Sequence, residues 1–227
     1  MRFAAFETST EWCSVALWVE GEIASIEERA GHGHSERVLP MLDRLAAQAG
    51  MPLAALDAVA FGAGPGSFTG LRIASGVAQG IAYARAIPAI GISTLEAIAE
   101  ESGAARVAAC LDARMREVYY SALDRQEGRW REVIPATCVA PAALPKPPGA
   151  GWIGCGNGFA AYGLMGFANV MPDIHPTAVA VARLAAPRLA AGEGVDAALA
   201  VPVYVRDKVA WTEEERDQER AGGRSVP

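Results

Sequence analysis

The segment with the strongest claim to chemistry is "GAGPGSFTGLR", residues 62–72. Gly62, Gly64, Gly66 and Gly70 permit tight backbone turns. The helical pattern that follows offers free N–H groups, which favour anions. Two spacings argue against a phosphate loop. A Walker loop places Lys and then Ser or Thr directly after its last glycine, where Leu71 and Arg72 stand. A dinucleotide fingerprint needs a third glycine where Thr69 stands, and an acidic residue ~20 positions on. The plainer expectation is a turn at Pro65 and Gly66, with Ser67 or Thr69 capping a helix.

Glu7 and Asp112 each end an apolar, strand-like run. Two carboxylates at equivalent turns, facing across a cleft, suit Mg²⁺ and the phosphates of ATP. The residues that follow, "ETSTEW" and "DARMRE", lack the glycines that a close phosphate contact requires. The expectation is a vestigial cleft and a poor nucleotide site. His32 and His34 form an HxH pair, and His175 is the remaining histidine. That is too few ligands for a zinc site and singles out no general base. Cys13, Cys110, Cys138 and Cys155 are widely spaced without a CxxC pair, and three of them sit in apolar or glycine-rich runs. They read as buried small hydrophobes rather than a disulfide framework.

These residues need a scaffold, and the chain supplies one. Of its 227 residues 52% are hydrophobic, enough for a substantial core, and the net charge is −6. An acidic chain without a basic cluster is not expected to hold nucleic acid alone. The sequence contains no apolar run of membrane-spanning length and reads without a signal peptide, so a cytoplasmic protein is expected.

The pattern along the chain repeats. "RFAAFE" is a strand, and "CSVALWVEGEIASIEER" is a hairpin that turns at Glu20 and Gly21. "HSERVLPMLDRLAAQAG" is a helix that Ser35 can cap. "LDAVAFGAG" is a strand, "TGLRIASGVAQGIAYARA" a second helix and "IPAIGI" a short strand. "ARVAACLDAR" then restates the first strand, and "EVYYSALDRQEGRWREVI" restates the hairpin. After a proline-rich loop come the strand "GWIGCGNG" and the helix "TAVAVARLAAPRLAAG". The spacing predicts two similar α/β lobes with mixed sheets, residues 1–100 and 101–211, followed by a charged tail at 212–227.

The two helices of the first half carry more apolar surface than one sheet needs. Val38, Leu39, Leu42 and Leu45 recur at helical spacing on the first. Ile73, Val77 and Ile81 do so on the second, where Gly76 and Gly80 leave room for another helix. A helix that is apolar nearly all round buries more than one face. These seven side chains are therefore the expected partner-binding residues.

The segments "FETSTEWCSVAL", "HSERVLPMLDRL", "GAGPGSFTGLRIASGVAQGIA", "LDARMREVYYSAL" and "PVYVRDKVA" resemble, in order, those of the TsaB family, over residues 3 to about 211. That resemblance implies two duplicated ribonuclease-H-like lobes, the fold of actin, Hsp70 and sugar kinases. It implies a non-catalytic paralogue of the TsaD transferase, acting in the formation of threonylcarbamoyladenosine on tRNAs that read codons starting with A. The expected partners are TsaD as a heterodimer, TsaE on that pair, and a second copy when the protein is alone; tRNA is met only indirectly. No intrinsic cofactor is implied, and ATP is used by the complex. TsaD binds metal through an HxxxH motif. In the matching "GISTLEAIA", Thr94 and Ile98 stand where the histidines would be, and neither ligates a metal as imidazole does. The family more often has aspartate where Glu7 stands. The competing expectation is an actin-like ATPase or small-molecule kinase acting alone; a peptidase is disfavoured because the HxxxH motif is missing.

Overall fold

The computed structural model describes residues 1–31, 33–163 and 165–206. His32 of the HxH pair and the expected tail at 212–227 lie outside the described residues.

The first lobe opens with β1 (Arg2–Glu7), β2 (Trp12–Val19) and β3 (Glu22–Arg29), paired antiparallel in sequence order. Helix α1 (His34–Gln48) leads to β4 (Ala58–Gly64), parallel to β1, and α2 (Phe68–Arg85) leads to β5 (Ala89–Ser93), parallel to β4. Helix α3 (Thr94–Ser102) follows. The sheet order is β3-β2-β1-β4-β5.

The second lobe repeats the scheme. Strands β6 (Arg106–Arg114), β7 (Glu117–Gln126) and β8 (Arg129–Val139) are antiparallel. β9 (Ile153–Cys155) is parallel to β6, α4 (Asn157–Tyr162) follows, and β10 (Val170–Met171) is parallel to β9. Helix α5 (Ala178–Ala190) closes the set. Its sheet order, β10-β9-β6-β7-β8, is the first sheet's order written from the other edge. The expected duplication is therefore present strand for strand, in two mixed sheets flanked by helices. The lobes differ where α1 stands in the first. There the second has the proline-rich connection, with only a 3₁₀ turn at Pro141–Ala143.

Strand periodicity of two sends alternate residues to opposite faces. On β1, Phe3 and Ala5 join one core while Ala4 and Phe6 join another. The second of these cores lies under α1 and α2, with Met41, Leu42, Ala74 and Ala78. The first is shared by both lobes. It holds Leu95 and Ile98 of α3, Val107 and Ala109 of β6, and Val181 and Ala185 of α5. The two closing helices change sides. α5, from the second half, packs on β1, β2, β4 and β5, while α3, from the first half, packs on β6 and touches α5. Ser14 Oγ on β2 accepts the Ala178 N–H at the start of α5, 2.8 Å away, inside this junction.

Ser67 caps α2 by accepting the Gly70 N–H, and Thr177 caps α5 through the Ala180 N–H. The expected Ser35 cap is corrected: the N-cap of α1 is Gly33, two residues earlier, and no side chain caps it. His34 is its first residue and is buried, so Ser35 already lies within the first turn.

Candidate functional site

A cleft of about 510 Å³ opens between the lobes. Its first-lobe wall is Ser9, Thr10 and Glu11 after β1, with Pro65 to Thr69 at the start of α2. Its second-lobe wall is Leu111 to Met115, Tyr119 and Asn157. Residues 203–206 cross it.

The glycine loop faces the chain's own backbone. A methyl group on Gly70 would collide with the Thr8 carbonyl oxygen, and one on Gly66 would sit 2.6 Å from Ser9 Cβ. Thr8 Oγ1 donates to the Gly70 carbonyl (2.7 Å), and the Ser67 N–H donates to the Ser9 carbonyl (2.8 Å). The close approach that glycine allows is thus used by residues 8 and 9 of the chain itself. Gly64, at φ +119°, admits the Val203 carbonyl, which an added methyl would meet at 2.6 Å.

The two vestigial cleft candidates, Glu7 and Asp112, are placed differently. Asp112 lines the cleft, but Glu7 is 1% exposed and lies off its wall. The Glu7 carboxylate is enclosed against Gly62, where an added methyl would collide with it. One of its oxygens accepts the Ser9 N–H at 2.6 Å, and the other has no partner among the described residues. Burial pushes this carboxyl above its ordinary range, against the lowering effect of the Ser9 hydrogen bonds. Asp112 is engaged within its own lobe. Its N–H donates to Asn157 Oδ1 (2.9 Å), and its carboxylate accepts from Tyr162 Oη (3.1 Å) and from the Arg114 N–H (2.9 Å).

The turn after β6 is strained. Arg114, Met115 and Arg116 have φ values of +60°, +52° and +58°. A left-handed conformation costs an L-residue roughly 1–2 kcal/mol, so three in succession persist only where the surroundings hold them.

Metal chemistry of the HxxxH type does not fit these residues. Thr94 and Ile98 lie one turn apart on α3, both fully buried, and offer one hydroxyl and no imidazole. Among the described residues, no three His, Cys, Asp or Glu side chains gather closely enough to share an ion. His175 stacks on Trp12 at 4.7 Å, and its Nε2 pairs with Glu27 at 3.0 Å, fastening the approach to α5 to the first hairpin. Cys13, Cys110 and Cys155 are buried, and burial pushes their thiols up to about 11, 12 and 11.

The expected partner-binding residues divide into two groups. Val38, Leu42 and Leu45 are no more than 1% exposed and pack into the core under α1, so their assignment to a partner surface is corrected. The same spacing that marks a docking stripe also marks the stripe that faces a helix's own sheet. Leu39, one position round the helix, is 47% exposed. Ile73, Val77 and Ile81 on α2 are half-buried at the edge of that core. A methyl group on Gly76 or Gly80 would meet nothing within 4 Å, and Tyr83 stands beyond them, 83% exposed. Sequence reasoning gave no role to Tyr204 and Arg206. Their signal was the alternation in "VPVYVR", which marks an extended segment but not the surface it crosses.

Comparison with known proteins agrees with this architecture. The family model described as "TsaD: tRNA N6-adenosine threonylcarbamoyltransferase" matches residues 25–213. The tRNA threonylcarbamoyladenosine biosynthesis protein TsaB of Haemophilus influenzae is 39% identical over 222 residues, covering 91% of this chain and 94% of its own. The TsaB protein of Escherichia coli is 37% identical over 225 residues, covering 93% and 97%. The solved structure of YeaZ from Pseudomonas aeruginosa superposes with a TM-score of 0.85 at 41% identity, over 89% of this chain and 99% of that one. Identity at this level, spread along almost the whole of each chain, means that the protein belongs to the TsaB family.

Proposed function

We propose that the chain acts in the biosynthesis of threonylcarbamoyladenosine on tRNA as a cytoplasmic, non-catalytic partner subunit. In this reading it binds the TsaD transferase through α1 and α2 and supports it, and the TsaE ATPase docks on the pair. The same helices pair two copies of the chain when TsaD is absent. ATP is turned over by the complex. TsaD supplies the basic surface for tRNA, in keeping with the net charge of −6 on this chain.

The observation that carries the reading is the outer face of α2. Gly76 and Gly80 leave open space one turn apart, flanked by half-buried Val77 and exposed Tyr83, with Leu39 exposed on neighbouring α1. A helix built this way lets another helix approach closely. The Thr8–Gly70 fastening and the enclosed Glu7 support the non-catalytic part, since the glycine loop is packed against the chain's own backbone and the Glu7 carboxylate is withdrawn from the cleft.

The test is co-purification with TsaD of the same organism, comparing wild type with the Leu39→Asp, Val77→Asp double variant. Circular dichroism checks that the variant is folded. Loss of the complex in a folded variant is expected. A complex that survives would move the interface elsewhere. No complex with wild type would overturn the partner role and return attention to the cleft beside Asp112.

A further inference from the structure

After the 3₁₀ turn at Ala197–Leu199, which packs on α2, the chain runs without helix or strand along the cleft, which residues 203–206 line. It touches both lobes. On the first, the Val203 N–H donates to the Ala63 carbonyl at the end of β4 (2.7 Å). The Tyr204 ring lies 5.6 Å from the Phe68 ring, and its hydroxyl accepts from Arg72 Nε at 3.1 Å. Arg72 in turn covers Phe68 at 3.8 Å, so the first turn of α2 and Tyr204 form one stack.

On the second lobe, two residues later, Arg206 enters the strained β6–β7 turn. Its guanidinium pairs with Glu117, donates to the Arg114 carbonyl (3.4 Å) and lies 3.5 Å from Met115 Sδ. It also sits 5.7 Å over the Tyr119 ring. The Arg206 side chain is only 12% exposed, although it belongs to a segment with no strand partner of its own. Asp112 holds the left-handed turn from within, and Arg206 holds it from outside.

We propose that residues 201–206 are a latch between the lobes, holding the first turn of α2 and the β6–β7 turn at a fixed separation across the cleft. Six residues anchored at Val203, Tyr204 and Arg206 leave short links between the anchors. Release of Arg206 therefore frees Tyr204 and Val203 from α2 and β4, and release of Tyr204 frees the β6–β7 turn. The latch is a conformational device that sets the opening of the cleft, and it works in this chain without a partner.

The test is amide hydrogen exchange by mass spectrometry on the full chain, comparing wild type with Arg206→Gln and with Tyr204→Ala. Each variant cuts the strap at one end. The expected result is an exchange at least tenfold faster at both ends in each variant: residues 113–117, Val203 and residues 66–70. Strands β1 and β6 should keep their wild-type protection. Faster exchange confined to the mutated end would overturn the latch, because the two anchors would then be independent. No change at either end would overturn it as well. So would a uniform rise that includes β1 and β6, since the strap would then be an ordinary part of the core's stability.

Discussion

The hydroxyl of Thr8 donates a 2.7 Å hydrogen bond to the carbonyl oxygen of Gly70, fastening the turn after β1 to the first turn of α2. The Thr8 carbonyl occupies the space that a Gly70 side chain would fill. Gly70→Ala must therefore push two backbones apart. A loss of roughly 3 kcal/mol, at the upper end of overpacking costs, is expected in urea unfolding. Nearly unchanged stability would mean that the fastening is loose.

The glycines of the exposed α2 face should respond in the opposite sense. Gly76 and Gly80 sit within the helix, with open space around them. Replacing each by alanine should add about 0.5–1 kcal/mol of stability. If α2 is the docking helix, the Gly76→Ala, Gly80→Ala variant should melt higher yet bind TsaD more weakly, by about tenfold in a titration. A rise in both melting temperature and affinity would place the close contact elsewhere.

Leu39 and Leu42 separate the surface of α1 from its core. Leu42 is fully buried, and Leu42→Ala should cost about 2–5 kcal/mol of stability with or without a partner. Leu39 is 47% exposed, and Leu39→Ala should stay within ~0.5 kcal/mol of wild type in unfolding. As a central anchor it should cost ~2 kcal/mol in binding to TsaD. Calorimetry of both variants, alone and with TsaD, checks the division.

Glu7 makes the fold sensitive to pH. Its carboxyl is raised above the ordinary value of 4.5 by burial, so the native state holds its proton more tightly than the unfolded chain. Its contribution is fully present below pH 4.5 and is lost as pH rises through the native value. Glu7→Gln keeps the shape and the acceptor for the Ser9 N–H while removing the ionisation. The variant should match wild type near pH 4 and gain on it as pH rises. Unfolding curves that run parallel across this range would show that Glu7 is hydrated.

His175 acts at the lobe junction. Its hydrogen bond to Glu27 raises it above the ordinary 6.5, against the lowering effect of burial. The stabilisation is complete below pH 6.5 and fades as pH rises through the native value. His175→Gln should flatten that part of the stability profile, by on the order of 1 kcal/mol or less for a partly exposed pair. An unchanged slope would assign it to another group.

Much of this architecture was legible because it is local. The Glu20–Gly21 hairpin, the Ser67 cap and the repeated strand-and-hairpin order all follow from turn chemistry and short-range periodicity. The site was less legible because it depends on which face points where. Val38, Leu39 and Leu42 look alike as a stripe, and only the position of the sheet under α1 divides them. Glu7 and Asp112 end equivalent strands, yet Glu7 is sealed against Gly62 while Asp112 is held by Tyr162 and Asn157. Arg206 meets Glu117 across 89 positions of sequence, a separation at which pairing leaves no periodic trace.

The exchange of α3 and α5 between the lobes bears on how the chain is made. Synthesis runs from the N-terminus, and domains generally fold as units as they emerge. Here the inner face of the first sheet, with Phe3, Ala5, Ala16 and Ala60, is covered by α5, whose residues lie at 178–190. A ribosome that has released only the first lobe presents that face without α5, covered in part by α3 alone. The first half of the protein must therefore wait, exposed or chaperoned, until nearly the whole chain has been translated.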